Sequence, residues 1–202
     1  MSKNALIIFV KNPELGKVKT RLAATIGKPK ALEIYKLLLS RTKEITSSLD
    51  CDKIVFYTDF IDKDDLWDNH QYHKQLQNGH DLGDRMLNAF DHVFRAGYES
   101  ACIIGSDCYE LTSQTIQEAF DQLTQREVVV GPTMDGGYYL LGMNKLHRDF
   151  FVHKKWSTST VYADTLTDIK THKLMYSTLE LLSDVDEEKD LQTIDQFKEI
   201  LN

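Results

Sequence analysis

Cysteine, proline, long apolar runs and positive charge are all in short supply in this chain, and each shortage excludes something. There are three cysteines, Cys51, Cys102 and Cys108, an odd count without paired spacing. A disulfide framework is therefore not expected, and a reducing compartment fits. Cys102 stands in an apolar run and reads as core. Cys108 has no histidine beside it in sequence and reads as a small filler rather than a nucleophile. Three prolines and ten glycines in 202 residues argue against linker-rich or low-complexity sequence. The first apolar run, residues 5–10, is too short for a signal peptide or a spanning helix, and no later run approaches a membrane span. The cytoplasm is the expected location. Lys and Arg number 24 against 31 Asp and Glu, a formal charge of −7. Nucleic acid is not the expected partner, because phosphate backbones need basic stripes. An anionic small molecule is compatible, since a local basic loop can hold one.

What is present alternates between strand and helix. The length suits one domain, residues 1–202, large enough to bury a core without staples. Apolar runs at 5–10, 53–58, 101–105, 128–130 and 138–142 read as strands, with a possible late strand at 173–176. Helical spacing follows Pro29 through Ala31, Ile34, Leu38 and Ile45, and recurs at Leu82, Met86, Phe90 and Val93 up to Gly97. Thr112 is placed to cap a helix reaching about Leu123. Further helices are expected over 158–169 and through Leu191, Ile194, Phe197 and Leu201, while 59–76 carries no clear pattern. Strand, loop and helix in repetition predict a mostly parallel central sheet with helices on both faces. Ligands of such sheets bind outside the carboxyl ends of the strands.

Four polar loops carry the candidate chemistry. KNPELGKVKTRL, residues 11–22, gathers Lys11, Lys17, Lys19 and Arg21 around Gly16 in an otherwise acidic chain. Glycine lets backbone amides approach an anion, and lysine and arginine neutralise phosphate, arginine as a fork. Val18 after Gly16-Lys17 excludes a Walker A loop. A solvated basic surface is the plain alternative. GSDCYEL, residues 105–111, puts Asp107 just past a strand, where a carboxylate is a hard ligand for Mg2+ or Mn2+; a turn aspartate is the alternative. GPTMDGGYYLLG, residues 131–142, offers Asp135, Gly136 and Gly137 to sugar hydroxyls, or else makes a hairpin turn. Trp156, Ser157 and Thr158 suit the wall of a sugar or acceptor site, with core packing the alternative for the indole. LSDVDEEKDL, residues 182–191, alternates Asp184 and Asp186 on one side of an extended segment, where either could join Asp107 around a cation. Asp190 reads as a cap. Arg85, at a polar helix entry, could line the crevice, and His70 and His73 read as surface.

These stretches resemble a bacterial glycosyltransferase-like family with the nucleotide-diphospho-sugar transferase (GT-A type) fold. Some of its members are named for arsenosugar biosynthesis or radical SAM association. FVKNPELGKVKTRLA, HDLGDRM, IIGSDCYEL, GPTMDGGYYLLG, WST and DVDEEKDL follow the family's order almost end to end. A wider similarity reaches molybdenum-cofactor and phospholactate nucleotidyltransferases. The resemblance implies phosphate contacts from Lys17, Lys19 and Arg21 and a metal at Asp107 helped by Asp186 or Asp184. The family usually has proline where this chain has Tyr109, and a two-aspartate sugar-nucleotide motif is incomplete at that position. The expected catalytic groups are Lys17, Arg21 and Asp135. The expected ligands are a nucleotide or nucleotide-sugar and a small-molecule acceptor. Glycosyl transfer is the leading expectation. A guanylyl- or cytidylyltransferase-like reaction releasing pyrophosphate is the second, and a non-catalytic nucleotide-binding protein the third.

Overall fold

A computed structural model describes residues 3–201. Strand β1 (Asn4–Val10) is the centre of the fold: Ala5, Leu6, Ile7 and Ile8 are all 0% exposed, as an unbroken apolar run requires when both faces of a strand are covered. Its side chains alternate. Leu6, Ile8 and Val10 join one apolar cluster, and Ala5 and Ile7 join another.

The first cluster is closed by α2 (Lys28–Ser47) and α4 (Ser113–Leu123), through Tyr35, Leu39, Ile116 and Phe120. The second is closed by α3 (Leu82–Arg95) and α5 (Val161–Thr171), through Met86, Phe90, Val93 and Ile169. The remaining strands are β2 (Asp52–Tyr57), β3 (Tyr72–Leu76), β4 (Ser100–Ile104), β5 (Val128–Pro132), β6 (Tyr138–Met143) and β7 (Tyr176–Thr178). Together they make one seven-stranded sheet in the order β3-β2-β1-β4-β6-β5-β7. Only β6 runs antiparallel to its neighbours β4 and β5; every other pairing is parallel. This is the predicted α/β class. A third cluster brings the two ends of the chain together: Leu22 of α1 (Thr20–Ile26) and Ile34 and Leu38 of α2 pack with Leu191 and with Phe197 of α6 (Asp195–Leu201).

The local signals that set helix ends act as expected. Thr112 accepts the amide of Thr115 at the start of α4, and Asp81 accepts that of Asp84 at the start of α3. Other boundaries differ from the sequence reading for identifiable reasons. α1 grows directly out of the basic loop, whose charges hide its short apolar face. β3 reads YHKQL, a polar edge strand without a covered pair of faces. α5 starts at Val161 rather than 158, after a turn in which the Thr158 carbonyl accepts the Val161 amide at 3.4 Å. Lys173 has φ 56°, so the last strand begins at Tyr176 instead of 173. The closing helix is divided into a 3-10 turn, Glu188–Thr193, and α6. Among the described residues no helix is long and apolar enough to cross a membrane. The three cysteines are free and buried.

Candidate functional site

The loops that follow β1 and β4, the β5–β6 turn and the segments around 156–159 and 184–186 meet in a cleft of about 860 Å³. The floor is fixed by buried polar groups. The Tyr35 hydroxyl accepts the Lys11 amide at 2.8 Å and donates to the Lys11 carbonyl at 3.1 Å, so α2 holds the chain as it leaves β1. Asn12 is buried and clamps the next loop: its Oδ1 accepts the amides of Asp59 and Phe60, and its Nδ2 donates to the Phe60 carbonyl at 2.9 Å.

Lys19 is the hub of the site. It adopts a left-handed backbone conformation, φ 46° and ψ 48°, which costs a non-glycine residue about 1–2 kcal/mol. That turn sends its side chain inward. The ammonium lies 2.6 Å from Asp107 Oδ1 and 3.1 Å from Asp186 Oδ1. The Lys19 side chain is 4% exposed, against 44% for Asp107 and 40% for Asp186, so the carboxylates face the cleft and the ammonium sits behind them. Asp107 Oδ1 is shut off from solvent and, among the described residues, its interaction is this ion pair rather than a well-aligned hydrogen bond. Burial works against the Lys19 charge, yet Asp107 and Asp186 hold its pKa above the ordinary lysine value.

The acidic wall is assembled by backbone. The Val185 amide donates to the Asp107 carbonyl at 2.9 Å and lays the two loops side by side. Asp190 accepts the amides of Asp186 and Glu187 at 2.9 and 2.7 Å, the cap its position predicted. Burial, reinforced by Asp107 and more weakly by Asp135 and Asp186, pushes the Asp184 carboxyl up to about 7 against the opposing pull of Lys19. The cleft thus holds more negative charge than Lys19 offsets. An all-oxygen donor set of this kind suits Mg2+ or Mn2+. Among the described residues no group of three or more acidic, His or Cys side chains is placed to hold a metal ion by itself. A cation here would take its other ligands from water or from a bound phosphate, as Mg2+ usually does.

The opposite wall is built on close backbone contact. β5 and β6 are antiparallel neighbours, so residues 133–137 do form a hairpin turn. Asp135 Oδ1 accepts the Thr133 hydroxyl at 2.6 Å and the Gly137 amide at 3.0 Å. Gly136 has φ 89°, and a Cβ there would lie 2.0 Å from the Ser159 carbonyl oxygen, so the 156–159 segment rests on this turn. Trp156 rests on α3: a Cβ at Gly83 would lie 2.2 Å from its Nε1. The Lys154 ammonium stands 5.7 Å from the indole centroid. Burial pushes the nearby Cys108 thiol up to about 12, which fits an unreactive filler.

Of the residues singled out in the sequence, Lys11, Lys19, Arg21, Arg85, Asp107, Asp135, Gly137, Trp156, Ser157, Thr158, Asp184 and Asp186 line the cleft. Lys17, Gly16 and Gly136 do not. Lys17 is exposed and paired with Glu14, so its charge is spent outside the cleft. Gly16, φ 79°, makes the turn against the Lys28 side chain. Gly136 acts beneath the wall, through its neighbour. Sequence reasoning passed over Thr58 and Tyr138, which also face the cleft, while Gln77 and Asp81 belong to the polar helix entry, residues 77–86, expected to line it. Gln77 donates to the carbonyls of Val10 and Phe56 at 3.2 and 3.0 Å, joining β1 to β2. It stands in the same polar helix entry that drew attention to Arg85, and that placement was the available signal.

Comparison with known proteins agrees with this architecture. A crystal structure from Desulfovibrio desulfuricans G20, provisionally assigned as a nucleotide-diphospho-sugar transferase, is 33% identical, covers 96% of this chain and 87% of that one, and superposes with a TM-score of 0.89. The fold is shared more distantly. The 4-diphosphocytidyl-2C-methyl-D-erythritol synthase of Anaerococcus prevotii DSM 20548 is 9% identical over 97% of this chain and 96% of that one, with a TM-score of 0.58. The inositol-1-phosphate CTP transferase of T. maritima is 10% identical over 97% and 95%, with a TM-score of 0.53. No curated protein matches the chain. The model of the bacterial family DUF2064, described as an uncharacterized protein conserved in bacteria, matches residues 41–158, and the chain belongs to that family.

Proposed function

We propose that the chain is a metal-dependent transferase that moves a glycosyl group from a nucleotide-diphospho-sugar to a small acceptor. One observation carries this reading: a single cleft combines the cations Lys11, Arg21 and Arg85 with the carboxylates Asp107, Asp184 and Asp186, beside a wall of Asp135, Trp156, Ser157 and Thr158. The sequence kinship to the Desulfovibrio protein supports it. Asp107 and Asp186, with Asp184 beside them, would hold Mg2+ or Mn2+, which when bound neutralises charge on the departing diphosphate. Arg21, largely exposed and held to Asp186 by a long ion pair of 3.7 Å, can turn its guanidinium to fork onto phosphate oxygens. Lys11, on the loop after β1, and Arg85, near the start of α3, add charge. Asp135 has both hydrogen bonds on Oδ1, which leaves Oδ2 for an acceptor or sugar hydroxyl and its proton. Trp156 supplies an apolar face. In the transfer, the bond from the anomeric carbon to the diphosphate oxygen breaks while the acceptor oxygen bonds to that carbon. Lys17, tied to Glu14, has no part in this scheme.

Nucleotidyl transfer with loss of pyrophosphate is the second reading, and the basic first loop is its support. One of that loop's cations, Lys17, is committed to Glu14 outside the cleft, which reduces what is left for a triphosphate. The products separate the readings. The protein is incubated with Mn2+, nucleotide sugars, nucleoside triphosphates and a pool of small acceptors. Nucleoside diphosphate released in an acceptor-dependent way, and lost in Asp107→Asn, is the expected result. Pyrophosphate release from a triphosphate would select the second reading. Saturable nucleotide binding without either product would indicate a non-catalytic nucleotide-binding protein.

A further inference from the structure

We propose that Lys19 is a resident counterion that keeps a bare divalent cation off the Asp107–Asp186 pair and admits one that arrives with phosphate. The proposal rests on the metal assignment above and concerns the order in which the site fills. The carboxylates meet the cleft with 44% and 40% of their side chains exposed, while the ammonium behind them is 4% exposed. A cation entering from the cleft therefore finds the acidic oxygens within reach and a fixed positive charge 2.6 and 3.1 Å behind them. Like charges so close in a partly dry site repel strongly. Without that ammonium, Asp107 and Asp186 would offer their exposed oxygens to any hard cation.

Lys19 is not free to swing away. Its left-handed backbone directs it inward, and its buried stem is enclosed where Val18 and Leu22 enter the core. It therefore stays as a permanent charge. A divalent ion bound to a nucleoside diphosphate brings its own negative oxygens, and the same ammonium then attracts the incoming group. One lysine thus penalises the metal alone and favours the metal–phosphate pair.

Binding of Mn2+ measured by electron paramagnetic resonance tests this in wild type and Lys19→Met, with and without a nucleoside diphosphate. Loss of one opposing charge is expected to tighten binding of Mn2+ alone by on the order of tenfold or more. With the diphosphate present the ranking should reverse, wild type binding more tightly. Mn2+ should also raise the melting temperature of Lys19→Met more than that of wild type, because the metal replaces the missing counterion. If Lys19→Met binds Mn2+ alone no more tightly than wild type, the proposal is overturned. It is equally overturned if wild type binds Mn2+ as tightly without diphosphate as with it, although the metal assignment then survives. Absence of Mn2+ binding in both proteins under both conditions removes the metal assignment and this inference together. Should Lys19→Met not fold, Lys19→Gln removes the charge while keeping an amide to donate to the carboxylates, and the same reversal is expected of it.

Discussion

Replacing Asp184 by asparagine should stabilise the substrate-free protein, and more so as pH rises. An ordinary aspartate titrates at 3.8, whereas burial and the neighbouring Asp107 push Asp184 up to about 7. Between those values the folded state holds a proton that the unfolded chain has released. Stability therefore falls as pH climbs from about 4 to about 7 and is level above that. Roughly three pKa units at about 1.4 kcal/mol each give an upper bound near 4 kcal/mol. Asp184 is half-buried, so water screens part of this, and about 2 kcal/mol is a reasonable expectation at pH 8. For a chain of this size that corresponds to a melting temperature higher by about 4–8 °C in Asp184→Asn. At pH 5 only a minor part of the penalty has developed, and the gain should be less than half as large. Scanning calorimetry on both proteins at pH 5, 6, 7 and 8 gives the difference directly, with the common titrations of other groups cancelling. A difference that is constant with pH, or a variant that melts lower at pH 8, would refute the claim that crowded carboxylates strain this site.

Other consequences are as direct. Arg21→Ala should weaken nucleotide binding by about tenfold or more and reduce its salt dependence, while Lys17→Ala should change it far less; titration calorimetry at two salt concentrations compares them. Gly136→Ala combines a positive φ with a Cβ 2.0 Å from the Ser159 carbonyl, so it should cost upwards of 1–3 kcal/mol and lower the melting temperature by several degrees. Phe90→Ala, at the centre of the α3-side core, should cost about 3–5 kcal/mol in urea unfolding without altering the residues of the cleft.

The sheet was largely legible because its strands are buried on both faces. Residues 5–10 and 128–130 could be read as strands from apolar runs alone, and Thr112 marked the start of α4. β3 was not legible, since a polar edge strand has no periodic signature. Within the site, strand-end position was informative for Asp107, and alternation for Asp184 and Asp186. Residue type was misleading for the first loop. Lys17 and Lys19 look alike in sequence, yet one points to solvent and Glu14 and the other is turned inward by a single left-handed residue. Nothing local encodes that difference. It depends on Asp107 and Asp186, which the fold delivers from far along the chain.

The bond between Lys19 and Asp186 joins positions 167 residues apart. Asp184 and Asp186, like Leu191 and Phe197, lie beyond the sheet's seventh strand, Tyr176–Thr178. A chain cut just after that strand would keep every strand of the sheet, yet Lys19 would retain Asp107 without Asp186, and Leu22, Ile34 and Leu38 would lose the cover of Leu191 and Phe197. The segment beyond the sheet therefore completes the site rather than the scaffold.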